Sequence, residues 1–220
     1  MVQRYSGDDT LSLLEHLPGP LRTLAERGSS RVYRKGILVI QEGEVGDTLY
    51  LILAGRVKSF AADARGREIT YGVYGVGEYF GEMSLDGGPR STSISTLEPT
   101  SCVLLTRQTV LDHLATHPDF AAELLTRVIA RARTATANAR SLALMDVYSR
   151  MAQLLDGMAD PIGDGSRLIN ERLTHADIAS RLGCSREMVS RLLKDLERGG
   201  YVEARAGGRL LLLQALPERW

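Results

Sequence analysis

The chain has 220 residues, and its 27 lysines and arginines are balanced by 27 aspartates and glutamates. Its hydrophobic share of 44% is typical of a folded protein, and its length suits one or two domains. The zero net charge excludes a chain that is basic throughout, as a general nucleic-acid or membrane binder would be. Local basic patches stay possible.

Cysteine and histidine usage narrows the function further. Cys102 and Cys184 are too few for a four-thiolate metal site or a disulfide framework, and we expect buried thiols in a cytoplasmic protein. No stretch resembles a secretory signal or is long enough to span a membrane, so no membrane partner is expected. No catalytic motif is evident, so we expect no enzyme. No metal is expected either, because ligand spacing is absent among His16, His113, His117 and His175.

Short β-rich runs separated by glycines occupy residues 31–106. Many short strands at close and even spacing predict an antiparallel sandwich or barrel. The predicted strands are 38–40, 48–53, 56–60, 68–73 and 101–105.

A short helix is predicted at 107–115 and a long one at 118–145, which begins at Pro118. Apolar side chains in the long helix step by three and four residues, as in a coiled-coil seam. Packing of the helix on its own domain is the alternative, but the narrow seam favours pairing with a second copy of the chain. The seam residues are Leu125, Val128, Ala132, Ala135, Ala139 and Leu142.

The C-terminal part changes character again. Asp146 is predicted to cap a helix at 147–158, and 159–166 to be a loop. Two further helices should follow, one starting after Thr174 and one at 186–198 after a Ser185 cap. Gly183 suits the left-handed end of the first, and 201–213 should form a hairpin.

The helix at 186–198 has two faces. Its apolar face, with Val189 and Leu196 among others, should be buried, while a polar arc carries guanidiniums beside a carboxylate. Arginine can bond guanine in the major groove and glutamate can accept from cytosine, so this arc predicts DNA reading rather than a solvated surface alone. Two arginines at the hairpin tip would meet phosphates. The candidate DNA contacts are Thr174, Ser185, Arg186, Glu187, Ser190, Arg191, Lys194, Arg205 and Arg209.

Residues 79–93 combine glycines, a short helical turn and an arginine, which together can bind an anion. Glu82 in the same loop would repel phosphate, so its expected partner is a ligand hydroxyl. A cyclic nucleotide offers both groups.

Residues 173–197 closely resemble the helix-turn-helix of the CRP/FNR family, and the similarity extends over nearly the whole chain from about Arg31. The resemblance implies an α+β fold: an N-terminal antiparallel β-roll or jelly-roll sensor domain at 1–116, a dimerisation helix at 117–145 and a winged helix-turn-helix at 146–220. It implies a homodimer in which Arg186, Glu187 and Arg191 read the bases of a TGTGA-like inverted repeat. Asp146 would be the hinge, and RNA polymerase a partner through 159–166.

The family resemblance also assigns the effector site. Gly81 and Ser91 would donate to a nucleotide phosphate, Arg90 would pair with it, and Glu82 would bind the ribose 2′-hydroxyl. Thr136 on the long helix would contact the base. Met83, Ser84 and Thr92 complete the candidate set.

Two departures keep alternatives open. The spacing from Glu82 to Arg90 is shorter than the family pattern, and Ala135 stands where a hydroxyl residue is usual. Cyclic AMP is the first choice of effector, with cyclic GMP and cyclic di-GMP as alternatives and no other cofactor. A second hypothesis is an effector-independent DNA binder with a vestigial pocket. A third is a nucleotide-binding regulatory module for a protein partner.

Overall fold

The computed structural model describes residues 13–15, 17–163 and 165–217. His16, the first twelve residues, the last three and part of the predicted 159–166 loop fall outside this range. The chain divides into two compact units, one comprising Met1–Ala61 with Tyr71–Arg133 and the other Ala62–Thr70 with Thr134–Trp220. Within the described ranges, no helix combines the length and apolar character that crossing a bilayer requires.

Eight strands form two four-stranded antiparallel sheets, ordered β1-β8-β3-β6 and β2-β7-β4-β5. The sequence predicted an antiparallel sandwich or barrel, and the two separate sheets confirm the sandwich. The strands are β1 Ser29–Tyr33, β2 Leu38–Ile40, β3 Thr48–Ala54, β4 Val57–Ala62, β5 Glu68–Tyr74, β6 Tyr79–Phe80, β7 Ser93–Thr96 and β8 Thr100–Thr106.

Alternation along β3 builds two cores from one strand. Leu49, Leu51 and Leu53 point to a cluster that includes Phe120, whereas Ile52 joins a second cluster. Successive side chains of a strand face opposite sides of its sheet, so β3 contributes to both. The second cluster also draws on Phe80 of β6, Val57 of β4, Ile94 of β7 and Cys102 of β8.

Three strands of these two sheets, β1, β6 and β7, and one helix were not predicted from the sequence. β1 carries a polar sequence and β6 only two residues, and both lie at sheet edges. Pairing with β8 and β3, which are distant in sequence, orders them. The missed helix is α1 at Gly19–Ala25, whose Leu21 and Leu24 are buried.

Two helices follow the sheets. α2 spans Arg107–Thr116 and is capped by the Thr106 side chain, which accepts from the Thr109 amide. α3 spans Pro118–Leu144, and Phe120 is its one buried residue. Most of this 27-residue helix is therefore exposed in the single chain.

The second unit contains the C-terminal part of α3, three further helices and a small antiparallel sheet ordered β11-β12-β10-β9. The predicted loop at 159–166 is partly wrong, because Asp160 and Pro161 pair with β10 as an edge strand. A single core lies between these elements and includes Met151, Leu155 and Leu196. The elements are α4 Val147–Met158, β9 Asp160–Pro161, β10 Arg167–Ile169, α5 His175–Leu182, α6 Arg186–Arg198, β11 Val202–Arg205 and β12 Arg209–Leu212.

Candidate functional site

The anion-binding candidate segment begins at a left-handed glycine. Gly81 has φ +88° and is followed by a 3-10 turn, Glu82–Asp86. A Cβ at Gly81 would lie 2.7 Å from the carbonyl oxygen of Thr48 and 2.8 Å from Nη1 of Arg90. Both the backbone angle and this close approach require glycine.

Arg90 is a buried cation whose described hydrogen-bond partners are neutral carbonyls. It is only 7% exposed, and its guanidinium donates to the carbonyl oxygens of Gly81 at 3.0 Å and Thr48 at 2.9 Å. Gly46 lies against the same guanidinium, and a Cβ added at Gly46 would lie 3.0 Å from Nη2 of Arg90. In the described part of the chain no carboxylate pairs with Arg90. A guanidinium stays charged in such surroundings, so this position attracts an anion.

Glu82 is paired with a residue that the sequence did not reveal. Its carboxylate lies 2.6 Å from Nη1 of Arg131 on α3, with the Glu82 side chain 8% exposed. Arg131 also donates to the carbonyl oxygen of Tyr79 and lies over the Tyr74 ring at 4.3 Å. Burial acts to lower the pKa of Arg131, but the charge and hydrogen bond of Glu82, together with Tyr74 and Tyr79, raise the pKa overall.

The remaining residues of the segment lie close by. The Ser59 hydroxyl bonds Thr92 Oγ1 at 2.8 Å, and Ser84 is buried. Ser91 is exposed and donates to the sulfur of Met83 at 3.1 Å. The structure thus brings together Gly81, Glu82, Met83, Ser84, Arg90, Ser91 and Thr92, and it adds Gly46, Thr48, Tyr74 and Arg131, which sequence analysis missed.

Thr136 lies on α3 five residues after Arg131, within the second unit. The seam candidates on the same helix are largely exposed, with Leu125 at 59%, Val128 at 41% and Leu142 at 42%. Ile129, at 41%, adds another exposed apolar side chain beside them. Leu125, Val128 and Ile129 lie on neighbouring turns of the helix, and exposed apolar side chains grouped in this way are typical of an interaction surface.

The helix starts in the second unit follow the predicted capping. The Thr174 side chain accepts from the Asp177 amide, and the Asp177 carboxylate accepts from the Thr174 amide, which completes a capping box. Gly183 ends α5 with φ +64°. The Ser185 hydroxyl accepts from the Met188 amide at 3.2 Å and starts α6.

α6 presents the two predicted faces. Val189, Leu192, Leu193 and Leu196 are buried, whereas Arg186, Glu187, Arg191 and Lys194 are exposed. Bonds from its own backbone amide and from the Ser185 hydroxyl lower the pKa of Glu187. Glu187 is therefore an acceptor at neutral pH, beside cations on an open helix face.

The β11–β12 hairpin carries both predicted arginines on its surface. Arg205 pairs with Glu203 at 3.2 Å, and both side chains are about half exposed. The hairpin tip is held near α5 because the Leu173 amide donates to the Gly208 carbonyl. A Cβ at Gly208 would lie 3.0 Å from Cγ of Arg172. Arg172, missed from the sequence, is therefore a further cation at this hairpin.

The two cysteines and the histidine pair His113 and His117 lie outside these sites and differ in burial and packing. Burial raises the pKa of the Cys102 thiol to about 12. Cys184 is only half-buried, so its prediction as a buried thiol is wrong. Its position in the tight turn between α5 and α6 leaves it near solvent. His113 and His117 stack at 3.8 Å. Within the described ranges no cluster of potential metal ligands occurs.

Two domain families match the chain in the same order as its two kinds of site. The cyclic nucleotide-binding domain matches residues 30–117, and the Crp-like helix-turn-helix domain matches residues 149–218. The first match contains the Gly81 to Thr92 segment, and the second contains α5, α6 and the hairpin.

Characterised relatives match along most of their length. A CRP-like cAMP-activated global transcriptional regulator of Mycobacterium tuberculosis is 31% identical over 200 residues, covering 89% of this chain and 88% of the relative. The cyclic AMP receptor protein of Thermus thermophilus is 33% identical over 179 residues, and the match covers 80% of this chain and 81% of the relative.

Solved structures share the fold. The c-di-GMP responsive global regulator CLP of Xanthomonas campestris superposes with a TM-score of 0.77 at 25% identity, covering 90% of this chain and 99% of that one. A CooA mutant from Carboxydothermus hydrogenoformans superposes with a TM-score of 0.74 at 19% identity, and the match covers 86% of this chain and 85% of that one. The domain order, the fold and the identity to full-length relatives agree, and the chain belongs to the CRP/FNR family of non-enzymatic DNA-binding transcription regulators.

Proposed function

We propose that the segment from Gly81 to Thr92 binds a cyclic nucleotide that controls DNA binding. The observation that carries this proposal is the buried Arg90 guanidinium, whose described partners are neutral carbonyls. A phosphate would supply the missing negative charge, and amides of the adjoining 3-10 turn would add donors. Glu82 would accept from the ribose 2′-hydroxyl.

Arg131 would couple effector binding to the long helix α3, on which it lies. Glu82 binds Arg131 in the free chain, so a ribose hydroxyl competes for the same carboxylate oxygens. A change in that ion pair alters α3, whose seam we propose to pair two copies of the chain. Asp146, which caps α4 through the Ser149 amide at 2.7 Å, is the proposed hinge. Two recognition helices would then approach the ~34 Å spacing of successive major grooves.

Cyclic AMP is the first choice of effector, because the relatives from Mycobacterium tuberculosis and Thermus thermophilus carry it in their names. Cyclic di-GMP is the second candidate, since the Xanthomonas campestris structure is of a regulator that responds to it, and cyclic GMP is the third. Ala135 removes one hydroxyl from the base-contact pair on α3, so Thr136 would bind the base alone. Calorimetry with each nucleotide decides among them, and Arg90→Gln should abolish the binding heat.

We infer that α3 pairs with α3 of a second copy through Leu125, Val128, Ala132, Ala135, Ala139 and Leu142. The exposed apolar area supports this, and alanines allow close helix approach. Ala139→Arg should convert the dimer to a monomer in sedimentation velocity. Ala137→Arg is the matched control, because it lies on the same helix but off the seam. A dimer that survives Ala139→Arg contradicts this interface.

The DNA site proposed for the dimer is a TGTGA-like inverted repeat. Arg186, Glu187 and Arg191 would contact base edges, while Thr174, Ser185, Ser190, Lys194, Arg205 and Arg209 would contact the backbone or support the readers. The β9–β10 connection, with Ile162 exposed, is the proposed RNA polymerase contact. These roles place the protein's action in the cytoplasm. Protection of a TGTGA repeat, but not of a scrambled repeat, tests the assignment.

A further inference from the structure

A histidine at the start of α5 is bonded to the recognition helix. Nδ1 of His175 lies 2.7 Å from the hydroxyl oxygen of Ser190 on α6. The Ser190 hydroxyl also donates to the Arg186 carbonyl oxygen at 3.0 Å. His175 is exposed and Ser190 is half-buried, so the bond lies at the surface that carries the DNA-reading side chains.

One arrangement of hydrogens satisfies both bonds. A serine hydroxyl has one hydrogen, and a carbonyl oxygen can only accept, so we assign the Ser190 hydrogen to the Arg186 carbonyl. With that assignment the Ser190 oxygen accepts from His175, and Nδ1 carries a hydrogen. Nε2 consequently has a bare lone pair in the neutral ring and an N–H only in the imidazolium. Among the described residues, none is bonded to Nε2.

The docking geometry of a helix-turn-helix gives this nitrogen a partner. The second helix enters the major groove, while the first helix crosses the phosphate backbone. His175 opens the first helix and touches the second. Phosphate accepts hydrogen bonds and carries negative charge, so it binds imidazolium Nε2–H and repels the lone pair of the neutral ring.

We propose that His175 is a DNA-phosphate contact that takes up a proton when the protein binds DNA. DNA affinity should then rise as pH falls through the range in which histidine titrates. The other charged side chains on the surrounding elements are carboxylates, guanidiniums and one ammonium group, residue types whose ordinary pKa values lie outside the range from pH 6 to pH 8. They are Asp177 and Arg181 on α5, Arg186, Glu187, Arg191 and Lys194 on α6, and Arg172, Arg205 and Arg209 at the hairpin.

The test uses the full chain and a duplex that the protein itself selects from a random-sequence pool, so it does not depend on TGTGA being the site. Fluorescence anisotropy gives Kd at pH 6.0 and 8.0 at equal ionic strength. We expect the parent protein to bind at least about threefold more tightly at pH 6.0. His175→Asn, whose amide can still donate to Ser190, should bind equally at both pH values.

Salt dependence distinguishes a phosphate contact from a merely structural role. At pH 6.0 the slope of log Kd against log salt should be smaller for His175→Asn by about 0.9, the value of one phosphate contact. Arg191→Ala is the control, because it should weaken binding while keeping the pH ratio of the parent. A His175→Asn protein that retains the parent pH ratio, or the parent salt slope at pH 6.0, would overturn the proposal.

Discussion

The carboxylate of Glu82 and the guanidinium of Arg131 form an ion pair 2.6 Å long between the anion-binding segment and helix α3. Both side chains are largely buried, and the Tyr74 and Tyr79 rings face the same guanidinium. In such surroundings a charged group is stabilised by its partner and is costly to leave alone. This pair therefore gives the effector site an internal competitor for any ligand hydroxyl.

The contribution of Glu82 to effector binding can be measured with an analogue of cyclic AMP that lacks the ribose 2′-hydroxyl. Glu82→Gln should weaken cyclic AMP binding by about 1.5–3 kcal/mol, the usual contribution of a hydrogen bond to a charged group. The 2′-deoxy analogue should bind the parent protein more weakly by a similar amount and should bind Glu82→Gln no worse than cyclic AMP does. Calorimetry of the four combinations gives the coupling. Additive losses would mean that Glu82 does not bind the ribose hydroxyl.

Two glycines of the same turn provide a matched pair. Gly81 and Gly87 both have φ near +90°, so alanine at either should destabilise the fold by about 1–2 kcal/mol. Only at Gly81 would the new Cβ meet Thr48 and Arg90, since nothing lies within 4 Å at Gly87. Gly81→Ala should therefore abolish nucleotide binding, and Gly87→Ala should retain it. Equal nucleotide affinities would contradict the close packing of Arg90.

An arginine that reads bases and an arginine that contacts phosphate should differ in their effects on base preference and on the salt dependence of DNA binding. Arg191→Ala should cost about 1–3 kcal/mol on the preferred site and relax the choice of one base pair. Arg205→Ala should weaken binding to all sequences alike and reduce the salt slope by about one. Anisotropy with a panel of single-base variants measures both. An unchanged preference in Arg191→Ala would remove it from the readers.

Buried His113 should make the stability of the protein sensitive to acid. Its Nε2 lies 3.2 Å from the Pro20 carbonyl oxygen, while its Nδ1 is buried without a partner in the described chain. Burial, followed by the neighbouring His117, lowers its pKa below the ordinary 6.5. The unfolded chain therefore binds the proton more readily, so stability present above pH 6.5 is lost as pH falls through the folded pKa.

Urea unfolding at pH 7.5 and 5.0 tests this expectation. The parent protein should lose more free energy of unfolding than His113→Gln, whose amide can still donate to the Pro20 carbonyl. Arg27 and Asp112, which pair at 3.9 Å near this ring, are present in both proteins. Identical pH dependence of the two proteins would show that His113 does not titrate between the folded and unfolded states.

Local sequence patterns predicted most of the helices and the long strands. The helices 147–158 and 186–198 were predicted to the residue, because Asp146 and Ser185 mark their starts and glycines or a periodicity change mark their ends. β1 and β6 were missed since their sequences have no strand pattern of their own. Their order comes from pairing with distant strands, which a local window does not contain.

The effector site shows the same division. Arg90 and Glu82 stood out because opposite charges occur in one glycine-rich turn. Arg131 did not, since its position on α3 looks like one more arginine of a solvated helix face. Only the packing of α3 against Tyr74 and Tyr79 reveals it. Arg172 was missed for a similar reason, because the hairpin that brings it to Gly208 lies far along the chain.

The central claim is that a cyclic nucleotide at Arg90 controls DNA binding. Its most direct test is anisotropy of a duplex carrying the TGTGA inverted repeat, titrated with protein alone and with saturating cyclic AMP, cyclic GMP or cyclic di-GMP. The account predicts that one nucleotide changes Kd at least about tenfold, a coupling of about 1.4 kcal/mol, and that Arg90→Gln removes the change. Equal affinity under all four conditions would contradict nucleotide control of DNA binding.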